Sequence, residues 1–155
     1  MTGNVHSRLG KMRRQVPPFR CHRCGGCCGP HVPCLRIEAT EIAGYARTHG
    51  IIAQTDRPMD CPWLRNGNEC LVYAVRPMLC RLQGLIPGLP CPHSAPVRNR
   101  QAWFTVVAYE ALTRLHPMAT VGDPSLTLTA ARAAALATDA LRQSQGEPGL
   151  DMHVR

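Results

Sequence analysis

Residues 20–34 read RCHRCGGCCGPHVPC, and five of the nine cysteines of the chain fall within them. Cys21, Cys24 and Cys27 follow at Cys-x2-Cys spacing, Cys28 is adjacent to Cys27, and Cys34 comes six residues later. Two thiolates at Cys-x2-Cys spacing can turn inward onto one ion at about 2.3 Å each, so a metal site is the expected product. Neighbouring side chains diverge in most backbone conformations, and Cys27 and Cys28 are therefore more easily given to different metal atoms than to one. That favours a centre with more than one metal atom, or two sites side by side. Gly25, Gly26, Gly29, Pro30 and Pro33 exclude regular structure here. They also permit the positive φ angles of a tight knuckle and free backbone N–H groups to point at sulfur.

Outward from this block, Cys61, Cys70, Cys80 and Cys91 follow at longer intervals. Together with Cys21, Cys24, Cys27 and Cys28 they make eight thiols, enough for two four-cysteine sites, and leave one over. Cys34 is the easiest to release, because it lies outside the block and opens the following helix. A common iron–sulfur spacing, C-x2-C-x2-C-x3-C-P, does not fit, since six residues separate Cys27 from Cys34 and Leu35 follows it. A cluster drawing on the distant cysteines stays open.

Composition sets the context. At 155 residues the chain is the size of one domain, yet it offers two Phe, two Trp and three Tyr for an interior and carries 14 Pro and 13 Gly. Metal cross-links are expected to supply the tertiary energy that apolar burial in the middle of the chain does not. A disulfide framework would want a secretory signal and an even count of cysteines; residues 1–15 are polar and basic with no apolar run. A reduced, cytoplasmic protein with no membrane span is the expectation. The formal charge of +8 would attract an acidic partner, but eight thiolates holding two divalent ions would lower it to about +4. Nucleic acid is thus an unfavoured partner.

Residues 1–18 hold Arg8, Lys11, Arg13 and Arg14 before Pro17-Pro18 and read as a flexible basic leader. Residues 19–97 read as a cysteine-cluster metal-binding region. Within it Glu38 to His49 has helical periodicity, with Ala39, Ile42, Ala43 and Ala46 on one face and Gly50 past its end, and is expected to cover the knuckle. Residues 51–97 read as loop, with only Cys70 to Val75 suggesting regular structure. Residues 98–146 read as a helical hairpin packed on that region and forming the core. Its first helix, Asn99 to His116, would bury Phe104, Val107, Ala108, Ala111 and Leu115. Its second, about residues 126–143, would bury Ala130, Ala133, Ala134, Ala137 and Leu141. Residues 147–155 read as a tail. The expected fold class is mainly α: a small helical domain with a C-terminal antiparallel helix hairpin and a large irregular, metal-stapled, cysteine-rich region.

The residues also carry a resemblance. Cys21, Cys24, Gly25, Cys27 and Cys28, then Cys61-Pro62, then Cys70, Tyr73, Arg76, Pro77, Cys80 and Arg81 resemble the signature of the bacterial CxxCxxCC cysteine-cluster family, the YkgJ-like zinc- or iron-chelating domains. The resemblance spans Phe19 to about Cys91 and implies thiolate-bound zinc or iron with no settled reaction. Cys34 and the helices after residue 98 lie outside that signature. Around such a centre Arg76 and Arg81, which bracket Cys80, would offset thiolate charge, while Tyr73 would pack or donate to sulfur. His22, His31 and His93 are near cysteines, but exposure or a supporting role is the expectation for each.

Three functions compete. The first is a metal-binding protein, holding zinc or iron and possessing a protein partner or a regulatory role. The second is an iron–sulfur or iron-dependent oxidoreductase or modifying enzyme, which needs an open coordination position. The third is a zinc-knuckle nucleic-acid-binding protein, which would want base-stacking aromatics that the chain does not interleave with its basic residues. There is no Ser-His-Asp set, phosphate loop or HExxH motif, so an enzyme would rest on its metal alone.

Overall fold

The computed structural model describes residues 4–29, 31–54, 56–93 and 99–121. The third helix expected at about residues 126–143, and with it the hairpin, lies outside the described residues. Those that are described form helices and two small antiparallel sheets, in keeping with a mainly α chain.

The basic leader is the first correction. Val5–Gln15 is a helix, α1, started by Asn4, whose side chain accepts the His6 N–H at 3.0 Å. Arg13 and Arg14 occupy its last turn, where the helix dipole favours cations. Val5, Leu9, Met12 and Val16 recur at helical spacing on one side, and Leu9 is fully buried. Arginine and lysine on the other faces hide this stripe from a reading by composition.

Pro33–Leu35 is strand β1, which passes directly into helix α2, Arg36–Thr48. The expected face of α2 is the observed one: Ala39, Ile42, Ala43 and Ala46 are all buried, and Gly50 takes a φ of +64° just beyond the end. Two-residue strands β2, Leu64–Arg65, and β3, Glu69–Cys70, form a hairpin. Asn66 and Gly67, both at positive φ, make its turn. A 3-10 turn at Tyr73–Val75 leads to the short helix α3, Met78–Leu82. Helix α4 is Arg100–Thr113, capped by Asn99 through the Ala102 N–H at 3.0 Å. Strand β4, Met118–Thr120, then pairs with β1, placing Cys34 opposite Ala119.

Two apolar clusters result. One joins α1, β1, α3 and α4 through Leu9, Met12, Leu35, Met78, Leu82, Ala102, Tyr109 and Leu112. The other joins α2 to the hairpin through Ile42, Ala46, Trp63, Val72 and Val121, with Cys61 and Cys70 packed against it. Trp63 is 1% exposed and donates its indole N–H to the Val121 carbonyl at 2.9 Å.

The buried face of α4 is a second correction. Ala102, Thr105, Tyr109 and Leu112 point inward, while Phe104, Val107 and Leu115 are 57%, 51% and 70% exposed. Apolar residues lie on both sides of this helix, so periodicity does not choose between them. Polar partners do: Thr105 bonds the Gln101 carbonyl, and Tyr109 donates to Glu38.

Glu38 itself is fully buried. One carboxylate oxygen accepts the Leu35 N–H at 3.0 Å and the Tyr109 hydroxyl; the other accepts the Met78 N–H at 2.8 Å and stands 3.6 Å from the Arg13 guanidinium. A buried carboxylate is tolerated only with such a full set of partners. It fastens β1, α1, α3 and α4 to α2.

Candidate metal centre

Cys21, Cys24, Cys27, Cys28, Cys61, Cys70, Cys80 and Cys91 line one cavity of about 340 Å³. Tyr73, Arg76 and His22 share the lining, with Phe19, Leu64, Val72, Leu79 and Leu89 among its apolar walls. Cys34 does not reach it; that residue is fully buried on β1. His31 is exposed and outside the lining, as is His93, whose ring meets that of His22.

Each cysteine arrives by a different local device. In the first block Gly25, at a φ of +73°, closes a turn in which the Cys28 N–H reaches the Gly25 carbonyl at 3.0 Å. A Cβ on Gly25 would lie 2.1 Å from the Gly67 carbonyl oxygen, so the knuckle sits directly on the hairpin turn and only glycine fits. The Cys61 N–H bonds the Cys28 carbonyl at 3.0 Å, drawing the second segment to the first. Cys70 is carried by β3 and Cys80 by α3. Cys91 ends a loop tied down by Gly84 N–H to the Leu89 carbonyl at 2.6 Å and by the Gln83 amide to the Pro90 carbonyl at 2.7 Å.

The sulfurs share a backbone environment suited to thiolates. The Arg23 N–H points at Cys21 Sγ at 3.3 Å and the Gly26 N–H at Cys24 Sγ at 3.4 Å. Backbone N–H groups of Trp63 and Val72 do the same for Cys61 and Cys70. In all four cases the donor is two residues beyond the cysteine. Such donors favour the charged sulfur and orient it, which is what a metal ligand requires.

Without a cation, burial opposes ionisation at Cys61, Cys70 and Cys80. Burial pushes Cys61 up to about 11, against the Trp63 N–H, with Cys70 and Asp60 adding to the rise. It pushes Cys80 up to about 12, helped by the charges of Cys61, Cys70 and Cys27. Burial also raises Cys70, while the Val72 N–H and then Arg76 pull it back and Cys21 opposes them. Cys27 and Cys28 share one proton: Cys28 donates to Cys27, which brings Cys27 down to about 6 and drives Cys28 up. Six sulfurs, those of Cys21, Cys27, Cys28, Cys61, Cys70 and Cys80, thus act on one another electrostatically.

The neighbouring side chains divide their work. The Arg76 guanidinium lies 3.8 Å over the Tyr73 ring, and its charge favours thiolate at Cys70 and Cys80. Its Nε is buried with no hydrogen-bond partner among the described residues. Arg81 does not line the cavity; it clamps the preceding turn, donating to the Arg76 carbonyl at 3.0 Å and the Ala74 carbonyl at 2.8 Å. Tyr73 is 40% exposed and acts as a platform for Arg76.

The residues fit a thiophilic metal: soft donors, N–H groups on four of the sulfurs and the unpartnered Arg76 Nε beside them. Among the described residues no three Cys, His, Asp or Glu side chains already stand in position to share an ion. Two features escaped the sequence reading. The Asn66-Gly67 dipeptide is a hairpin signal that would have located the support beneath Gly25, whereas the Glu38 anchor next to Cys80 has no sequence signature.

No curated protein and no solved structure matches the chain. A family model does: CxxCxxCC, described as a putative zinc- or iron-chelating domain, over residues 20–103. That span holds all the cysteines of the cavity and more than half of the chain, which therefore belongs to the CxxCxxCC family of metal-binding domains.

Proposed function

We propose that the protein holds zinc or iron through the eight cavity cysteines, as a centre of more than one metal atom. The carrying observation is their convergence on one cavity from separate segments, with N–H donors on four sulfurs. Cys21, Cys24, Cys27, Cys28, Cys61, Cys70, Cys80 and Cys91 are the ligands, Arg76 supplies countercharge, and Arg81 and Tyr73 hold Arg76 in place. Binding releases the thiol protons and draws the lining loops inward, so metal and fold are coupled. Cys34 takes no part.

A second reading is an iron–sulfur or iron-dependent oxidoreductase. The apolar walls favour it, since they suit a centre shielded from water. The nucleic-acid reading loses its basic arm: Arg13 is bound at 2.7 Å to Glu41, and α1 is packed into the fold. Anaerobic purification with elemental analysis and visible absorption decides between the first two. Colourless protein carrying zinc supports a structural or regulatory centre. Brown protein with iron and acid-labile sulfide supports the redox centre, and metal-free protein that takes up neither ion overturns both.

A further inference from the structure

His22-x-Cys24 and Cys91-x-His93 are mirror images in sequence, and the structure brings them together. The His22 and His93 rings stand 5.7 Å apart between centroids, tilted by 39°. Two imidazoles on one tetrahedral ion, each bound at about 2.0–2.1 Å, hold their centroids about 5 Å apart, close to the separation of these two rings. Both histidines are exposed, as is Cys24. A Cβ built on Gly26 would lie 3.6 Å from Cys24 Sγ and 4.0 Å from Pro92 Cγ, which puts the residue between Cys91 and His93 against the loop of Cys24.

We infer that His22, Cys24, Cys91 and His93 form a separate site for a divalent, zinc-class cation at the mouth of the cavity. It rests on the reading of the cavity as a metal centre and divides that centre in two. The inner part is all thiolate; the outer part takes two thiolates and two neutral imidazoles. Each cysteine gives its proton to solvent on binding, so two thiolates balance the 2+ charge and the outer site is neutral. That neutrality suits it to lie beside a sulfur-rich anionic centre without adding charge. Its exposure makes it the position from which an ion exchanges with the surroundings.

The test is cobalt(II) titration of the full-length protein, followed by stoichiometry and visible absorption. Wild type should bind about one ion more than a His22→Ala/His93→Ala variant, and the difference spectrum should carry the d–d bands of two-sulfur, two-nitrogen coordination. Zinc should also protect His22 and His93 from diethyl pyrocarbonate in wild type, leaving the exposed His31 reactive, a readout that needs no variant to fold. Unchanged stoichiometry and spectrum in the double variant, or equal reactivity with and without zinc, overturns the outer site alone. Wild-type protein that takes up no ion overturns the metal centre with it.

Discussion

The layer of α1, α3 and α4 and the cysteine cavity share residues 78–82 as a common wall, yet they are held by different forces. The helical layer closes over leucine, methionine and tyrosine, with Leu9, Leu82 and Leu112 fully out of water. The cavity side closes over eight thiols and hairpin turns, and its apolar cluster centres on Trp63. Apolar burial works without a cofactor, whereas thiols pushed up by burial give their loops little until a cation replaces their protons. One region should therefore be stable by itself, and the other conditional.

The largest test of that contrast is metal removal. Structural zinc sites contribute roughly 10–16 kcal/mol, about the stability of a whole domain. Anaerobic chelation should abolish amide-exchange protection around Cys61, Cys70 and Cys80 while leaving the amides of α4 protected. Simultaneous loss in both would erase the distinction. Next in size, Leu112→Ala should cost about 2–5 kcal/mol in denaturant unfolding by opening a cavity in the helical layer, with metal content unchanged. Gly25→Ala attacks the other side. It forces a left-handed residue, at about 1–2 kcal/mol, and a clash with Gly67, so metal affinity should fall together with stability.

Tyr109→Phe tests the joint between the regions. It leaves Glu38 buried with one donor fewer, at about 1–3 kcal/mol, and metal content should hold. Loss of metal in that variant would show that the anchor at Met78 governs Cys80 directly. The smallest effect belongs to Cys34→Ser: metal content by elemental analysis should match wild type, because Cys34 lies on β1 outside the cavity. Metal loss equal to that of Cys24→Ser would overturn the choice of the ninth cysteine.

Legibility followed the same division. α2 could be read because Ala39, Ile42, Ala43 and Ala46 are apolar and strictly periodic. α1 could not, since Leu9 and Met12 are separated by Gly10 and Lys11 and flanked by Arg8 and Arg13, and their partners lie about a hundred residues away on α4. The inward face of α4 was misread for a related reason: Phe104 and Val107 outrank Thr105 in hydrophobicity, but Tyr109 and Thr105 find polar partners and so can be buried. Cysteine spacing marked the first block as a chelate, but not how the later cysteines reach it. That depends on the hairpin beneath Gly25 and on the bond from Cys61 to Cys28, both set by tertiary contact. The pairing of β1 with β4 joins three-residue segments, too short for any pattern to announce.

The chain has two tryptophans, and the fold assigns one to each region. Trp63 stands two residues from Cys61 with its indole sealed and bonded to Val121; Trp103 stands on α4, 55% exposed. Their fluorescence should separate without any label, Trp63 emitting to the blue and Trp103 to the red. Metal release should shift the blue component alone, and helix unfolding should follow at higher denaturant. The molecule thus contains an optical channel for the state of its sulfur centre and another for its helices.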